Sequence, residues 1–139
     1  MACTRPKSHT LTILHTNDTH SQVEPLEQGK RDANFAGYAR RMGLINQLRK
    51  EDPQLLLFDA GDFSQGTNLV NYYDGLDSVH FMNAAGYDAV TLGNHEFDWG
   101  QEYIASNAEL AEFPFLAINI YETATNKRVE YCESSVMIS

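Results

Sequence analysis

The chain has 139 residues, of which 42% are hydrophobic and 21% are charged, values ordinary for one globular domain. Lys and Arg number 10 against 19 Asp and Glu, so the formal net charge is -9. An acidic chain repels the phosphate backbone of DNA and RNA, which excludes a nucleic acid polymer as the expected partner. A small phosphate ester stays compatible with this charge when a metal cation supplies positive charge. No run of about 18 apolar residues occurs, so no transmembrane segment is predicted.

The start of the chain is polar and predicts an N-terminal tail over 1–10, followed by one domain over 11–139. This polar start carries no export signal. Ala2 and Cys3 are nonetheless similar to the end of a bacterial lipoprotein signal, where a small residue precedes the lipidated cysteine. The alternative is that Cys3 is an ordinary residue of a frayed terminus. Two cysteines in all exclude a disulfide-rich scaffold.

The first part of the chain predicts a strand, a long loop and a helix. Residues 11–15 form a short apolar and β-branched run, which is typical of a strand. Residues 16–34 are polar and contain Pro25, so we expect a loop, and loops of this length are usually functional. From Phe35 onward, apolar residues recur every three or four positions, which predicts an amphipathic helix over 35–50.

The rest of the chain alternates strands and helices. The continuous apolar run 55–58 is typical of a strand buried on both faces. After a glycine-containing loop over 60–67, the pattern predicts a helix, a strand, a helix and a strand at 76–85, 88–92, 101–110 and 115–118. This alternation predicts an α/β fold, a mainly parallel sheet with helices on its faces. Residues 121–139 form a poorly defined tail, in which 123–126 is compatible with a hairpin turn.

Potential metal ligands follow the first three predicted strands. In chain order they are Asp18 and His20, then Asp59 and Asp62, then Asn94, His95, Glu96 and Asp98. Any one of these groups alone has an ordinary explanation as a loop, cap or turn residue. Because ligands bind at the carboxyl ends of strands in open α/β sheets, their joint occurrence at three strand ends predicts a metal site. His15 lies within the first strand, and we expect it in the core or behind a ligand.

Two longer segments carry a family resemblance. The segments LTILHTNDTHS at 11–21 and YDAVTLGNHEFD at 87–98 closely resemble the two signature segments of the 5'-nucleotidases, which are calcineurin-like metallophosphoesterases. The intervening FDAGD at 58–62 resembles the Gly-Asp motif of that family. The resemblance covers about residues 11–120 and is specific, because three motifs occur in the family's order. It implies the first half of the four-layer metallophosphoesterase core.

The resemblance implies a two-metal phosphomonoesterase acting on nucleotides or other small phosphate esters. Asp18 and His20 would bind the first metal, Asp62 would bridge both metals, and Asn94 would bind the second metal and the substrate phosphate. Such a bridging carboxylate holds two cations about 3.5–4 Å apart, and a water shared between them supplies hydroxide near neutral pH. The mixed ligand set suits two divalent ions among Zn, Mn, Fe and Mg without selecting one.

The same resemblance implies an acid catalyst. His95 would contact the phosphate and protonate the leaving oxygen, while Asp98 would orient His95 and keep it protonated. An imidazole has an intrinsic pKa near neutrality, which suits proton transfer to an alkoxide. A carboxylate three residues away favours the charged imidazolium form.

The chain departs from the family pattern after residue 98. The family has one later histidine and then a Gly-His-x-His pair, whereas no histidine follows His95 here. We therefore expect one weak metal site, a largely empty second site and little or no turnover by this chain. The nucleoside-binding domain of 5'-nucleotidases is also missing. The expected function is the N-terminal portion of a 5'-nucleotidase-like hydrolase, whose intact form cleaves nucleotide phosphate esters.

Two alternatives remain open at this point. In the first, the chain is a non-catalytic remnant that binds at most one divalent metal. In the second, a partner chain supplies the missing ligands, and activity then depends on protein concentration. For the intact protein, family habit and the lipoprotein-like start favour the bacterial periplasm or a lipoprotein of the envelope.

Overall fold

The computed structural model describes residues 8–26, 35–68, 70–73 and 75–138. One parallel sheet contains four strands in chain order, β1 (Ile13–Thr16), β2 (Leu56–Asp59), β3 (Ala89–Thr91) and β4 (Phe115–Leu116). Every neighbouring pair of these strands is parallel, so each connection must cross back over the sheet. The predicted α/β fold with a parallel sheet is confirmed.

Two predicted features lie wholly or partly outside the described residues. Ala2 and Cys3 lie outside them, as does most of the predicted tail 1–10. The loop predicted over 16–34 is described up to Leu26 and lies outside the described residues over 27–34.

The connections contain helices of very different length. They are α1 (Tyr38–Glu51), α2 (Val70–Tyr73), α3 (Leu76–Ala85) and α4 (Gln101–Leu110), with a short 3-10 helix at His95–Phe97. Both α3 and α4 have the bounds that the sequence predicts, whereas the four-residue α2 was not predicted. In the part of the chain that the structure describes, no helix has the length and apolar character needed to cross a membrane.

The first helix begins three residues later than its apolar periodicity predicts. Ala36 and Gly37 have φ values of 60° and 91°, which a right-handed helix excludes, so the helix begins at Tyr38. A Cβ atom on Gly37 would lie 3.0 Å from the backbone nitrogen of Pro25. Phe35 therefore stays outside the helix and is 68% exposed. The prediction that Phe35 starts the apolar face of this helix was wrong.

The hydrophobic core lies on one face of the sheet. Register places the side chains of Leu57, Val90 and Phe115 on the same face, and all three are at most 3% exposed. They belong to one cluster that draws on all three long helices, through residues including Ile45, Val79 and Ile104. Removal of this apolar surface from water stabilises the fold by roughly 25 cal/mol per Å².

The opposite face of the sheet is open within the described residues. Ile13 is 54% exposed, His15 is exposed, and Leu56 and Phe58 are only half-buried. The prediction that β2 is buried on both faces was therefore wrong for this face. The prediction that His15 lies in the core or behind a ligand was also wrong. Alternate residues of a strand point to opposite faces, and the face that carries His15 has no helix of the core packed on it.

The segment after β4 turns back to the edge of the sheet. Tyr121 pairs with Arg128 in an antiparallel bridge, which agrees with the hairpin turn predicted at 123–126. Glu133 then forms a parallel bridge with Leu116 of β4. Part of the segment expected to be a poorly defined tail thus extends the sheet by one bridge.

A buried carboxylate ends β2. Asp59 is 4% exposed, and its two oxygens accept hydrogen bonds from the N–H of Gly61 and the hydroxyl of Thr16. The Thr16 hydroxyl lies 2.8 Å from the hydroxyl of Tyr87, just before β3. Burial raises the pKa of Asp59 from 3.8 to about 6, because a poorly solvated site disfavours the charged form.

Asp59 should make the free energy of unfolding depend on pH. Because its pKa is higher in the folded chain than in the unfolded chain, its contribution is fully present below about 3.8 and is lost as pH rises through about 6. We expect a loss on the order of 3 kcal/mol. In Asp59→Asn, the side chain at this position does not titrate between pH 4 and pH 7. Urea unfolding between pH 4 and pH 7 should therefore show a steeper fall in stability for the wild type.

The exposed Glu109 gives a matched control, because Glu109→Gln makes the same change of charge away from Asp59. This control should keep the pH dependence of the wild type. Parallel stability curves for the wild type and Asp59→Asn would contradict the raised pKa.

Candidate metal centre

The loops after β1 and β2 run side by side at the carboxyl edge of the sheet. The N–H of Asp18 donates to the carbonyl oxygen of Gly61 at 2.9 Å. The N–H of His20 donates to the carbonyl oxygen of Asp62, also at 2.9 Å. These bonds extend the pairing of β1 with β2 beyond the strands. The predicted ligands of the first two loops are therefore brought together.

Three side chains converge at this edge. One ligand atom from each of Asp18, His20 and Asp62 lies within 4.8 Å of the other two. Nδ1 of His20 lies 2.7 Å from the carbonyl oxygen of Gln65, to which it donates when it carries the ring proton. Nε2 is then left as a lone-pair donor, 3.9 Å from a carboxylate oxygen of Asp18. Two carboxylates and a neutral imidazole fit a divalent cation.

Each of these three residues has left-handed backbone geometry. The φ values are 50° at Asp18, 46° at His20 and 57° at Asp62. A non-glycine residue in this region costs on the order of 1 kcal/mol, and such strain concentrates at functional sites. The hydrogen bonds between the two loops hold the backbone in this geometry.

The turn after β3 lies beside this cluster. The imidazole rings of His95 and His20 have their centroids 5.3 Å apart and are inclined at 72°. The backbone N–H of His95 donates to Oδ1 of Asp62 at 2.9 Å, so one carboxylate links the second loop to the third. Nδ1 of His95 lies 2.8 Å from Oδ2 of Asp98. This hydrogen bond, assisted by the charge of Asp98, raises the pKa of His95 above its ordinary value.

Asn94 stands directly before His95, at the start of the 3-10 helix. Its side chain is exposed and forms none of the side-chain hydrogen bonds found across 8–26, 35–68, 70–73 and 75–138, whereas its backbone carbonyl accepts the N–H of Phe97 at 3.2 Å. Asn94 is therefore at the same edge as the other candidates, but no side-chain hydrogen bond among the described residues joins it to them. Its roles toward metal and phosphate stay predictions.

Sequence reasoning places Glu96 after the third strand but predicts neither its burial nor a role for it. Glu96 is 4% exposed and accepts hydrogen bonds from both the loop after β2 (the second loop) and the loop after β3 (the third loop). Its position in the GNHEFD segment is the only signal in the sequence. Because a glutamate in a short turn is normally exposed, that position does not indicate burial.

Two glycines let the second and third loops touch. A Cβ atom on Gly93 would lie 2.1 Å from Oδ1 of Asp62 and 2.7 Å from its backbone nitrogen. A Cβ atom on Gly61 would lie 2.3 Å from the backbone nitrogen of Gly93. Any larger residue at either position must push the loops apart.

Gly93→Ala should therefore destabilise the chain, because the new methyl group displaces Asp62. We expect a loss of about 2 kcal/mol in the free energy of unfolding, measured with urea. Gly43→Ala is the matched control, since Gly43 lies in α1 and a Cβ atom there meets nothing within 4 Å. That substitution should instead stabilise the helix by about 1 kcal/mol. Equal stability of Gly93→Ala and the wild type would contradict the close contact of the loops.

The chain matches a known family over most of its length. The model of the family described as calcineurin-like phosphoesterase matches residues 11–131. The 5'-nucleotidase of Rattus norvegicus is 47% identical over 120 residues, which make up 82% of this chain and 21% of that protein. The snake venom 5'-nucleotidase of Naja atra is 46% identical over 121 residues, 81% of this chain and 22% of that protein. The chain thus spans about a fifth of the length of these relatives.

Solved structures agree with this assignment. The calcineurin-like phosphoesterase YfkN of Bacillus subtilis has a TM-score of 0.74 and 32% identity, covering 88% of this chain and 40% of its own. The 5'-nucleotidase precursor of Thermus thermophilus has a TM-score of 0.71 and 39% identity, covering 77% of this chain and 22% of its own. Both animal and bacterial proteins are among these relatives, so the bacterial envelope stays a prediction. The chain belongs to the calcineurin-like phosphoesterases, a family of hydrolases, and has 5'-nucleotidases among its relatives.

Proposed function

We propose that this chain is the N-terminal, metal-binding portion of an enzyme that hydrolyses nucleotide phosphate esters. The observation that carries the proposal is the convergence of Asp18, His20 and Asp62, with one ligand atom from each within 4.8 Å of the others. The similarity to 5'-nucleotidases supports a nucleotide as the substrate. The proposed chemistry is cleavage of a phosphate monoester by water.

The proposed work of the first two loops is to hold a cation. Asp18 and His20 offer oxygen and nitrogen from one loop, and Asp62 offers oxygen from the next. Oδ1 of Asp62 accepts the N–H of His95, which orients the carboxylate that is proposed as a ligand. A divalent ion bound there supplies Lewis-acid chemistry, which neutralises phosphoryl oxygens and acidifies water. Asn94 is neutral and is proposed to approach both a second cation and the phosphate without repelling the anion.

The proposed work of the third loop is to deliver a proton. His95 uses Nδ1 for its hydrogen bond with Asp98, which leaves Nε2 to donate to the leaving oxygen. The raised pKa of His95 keeps the imidazolium populated at higher pH than in an isolated histidine. Asp98 acts through His95 and is a positioning residue in this proposal.

For the 139-residue chain itself we propose one cation site and little turnover. No histidine follows His95 in the sequence, and the second cation would have only Asp62 and Asn94 from this chain. The single cluster found among the described residues, formed by Asp18, His20 and Asp62, is consistent with one site. This observation also favours the alternative of a non-catalytic chain that binds one divalent ion.

Calorimetric titration with Mn²⁺ tests the cation site. We expect one ion bound per chain, with binding abolished in Asp62→Asn and unchanged in Glu109→Gln, which alters an exposed carboxylate elsewhere. Hydrolysis of AMP and of p-nitrophenyl phosphate is measured on the same samples, with His95→Asn as the inactive reference.

Each outcome of this experiment has a definite meaning. Absence of Mn²⁺ binding would contradict the proposed metal centre. Two tight sites would contradict the single site proposed for this chain. Turnover that is lost in His95→Asn would overturn the expectation of low activity and support catalysis by this chain alone. Specific activity, the rate per chain, that rises with protein concentration would indicate ligands supplied by a second copy.

Asp98→Asn should lower the pKa of His95, because it removes the carboxylate that stabilises the imidazolium. The imidazole of His95 then loses its proton at lower pH than in the wild type. NMR titration of the His95 ring protons measures the change, with Glu109→Gln as a control of equal charge change. An unshifted titration in Asp98→Asn would argue against the proposed pairing of His95 with Asp98.

A further inference from the structure

We propose that Glu96 is a positioning residue that fixes Asp62 relative to the turn containing His95 and thereby sets the cation affinity of the site. This inference deepens the proposed function and rests on it. Glu96 lies in the 3-10 helix, next to His95, but its side chain points away from solvent and is 4% exposed. Its effect on the site is therefore exerted through the residues that it holds.

The carboxylate of Glu96 accepts hydrogen bonds from two loops. Oε2 accepts the backbone N–H of Asp62 at 2.9 Å and that of Gly93 at 2.6 Å. Oε1 accepts the backbone N–H groups of Phe63 at 2.9 Å and Ser64 at 3.1 Å. The hydroxyl of Ser64 adds a fifth hydrogen bond to Oε1, at 3.0 Å. One buried group thus joins the loop after β2 to the loop after β3.

These bonds act where the backbone is strained. Asp62 has a φ of 57°, and its backbone N–H donates one of the hydrogen bonds that Glu96 accepts. The carboxylate of Asp62 is fixed separately, by the N–H of His95. Without Glu96, the left-handed conformation of Asp62 loses the partner of its amide. The candidate ligand would then sample more orientations, and each would offer the cation a poorer set of donors.

Only a carboxylate satisfies this arrangement. All five partners of Glu96 donate, so both of its oxygens must accept. In Glu96→Gln, the amide nitrogen would replace one of the two accepting oxygens. Because backbone N–H donors face both oxygens, this nitrogen would face donors in either orientation of the amide. The change keeps the size of the side chain, so it tests the hydrogen bonds rather than the packing.

The test is a titration of each variant with Mn²⁺. Electron paramagnetic resonance measures the concentration of free Mn²⁺ at each point, and this gives the dissociation constant. We expect Glu96→Gln to bind Mn²⁺ about tenfold more weakly than the wild type, or weaker still. Glu109→Gln makes the same chemical change at an exposed position and should keep the affinity of the wild type. Ile104→Val removes one buried methylene in α4, so it should lower stability while leaving the affinity unchanged.

A second variant keeps the proposal testable if Glu96→Gln fails to fold. Ser64→Ala removes one of the five hydrogen bonds and leaves the other four in place. We expect it to bind Mn²⁺ about twofold more weakly. A folded Glu96→Gln with the affinity of the wild type would overturn the proposal. So would an unchanged Ser64→Ala when Glu96→Gln does not fold.

A measurement without metal separates failure of this inference from failure of the proposed function. If the wild type binds no Mn²⁺, the metal centre is wrong, and amide hydrogen exchange then decides the role of Glu96. The amides of Asp62 and Gly93 should exchange faster in Glu96→Gln, or in the shorter Glu96→Asp if the former does not fold, while that of Ile104 stays as in the wild type. Unchanged exchange at Asp62 and Gly93 would overturn positioning by Glu96.

Discussion

The contact between the loop after β2 and the loop after β3 is the constraint on which the rest of the site depends. Two carboxylates make this contact in opposite senses. Glu96 extends from the loop after β3 and accepts hydrogen bonds from backbone amides of the loop after β2. Asp62 extends from the loop after β2 and accepts a hydrogen bond from the backbone amide of His95. Hydrogen bonds to a charged acceptor are among the stronger ones in proteins, worth roughly 1.5–3 kcal/mol each. The reciprocal pair therefore fixes His95 and Asp62 relative to each other.

The cost of this arrangement is visible in the backbone. Asp18, His20 and Asp62 all have left-handed geometry, and Gly93 has no room for a side chain. These features oppose folding, and the hydrogen bonds between the loops offset them. A chain selected for stability alone would have little reason to place three strained residues together. Their coincidence with the convergent donor atoms is physical support for a functional site that is independent of sequence similarity.

The sequence predicts most of the fold and the convergence of three candidate ligands, because both follow from the pattern of strands and helices. The ends of α3 and α4 follow from apolar periodicity and, for α3, from the glycine at 86. Convergence of Asp18, His20 and Asp62 follows from the geometry of parallel strands. What sequence reasoning missed depends on contacts between distant segments. The late start of α1 depends on a close approach to Pro25, and the burial of Glu96 depends on two loops closing around it.

The charges of the site also limit the order in which ligands can enter. The carboxylates of Asp18, Asp62 and Asp98 surround the edge, in a chain whose net charge is -9. Protonation of His95, which its contact with Asp98 favours, opposes that charge. A phosphate ester approaching this edge alone meets mainly repulsion, whereas a divalent cation meets attraction. At the proposed site, phosphate binding would therefore depend on a cation held by the two loops, because the acidic edge repels an anion that approaches alone.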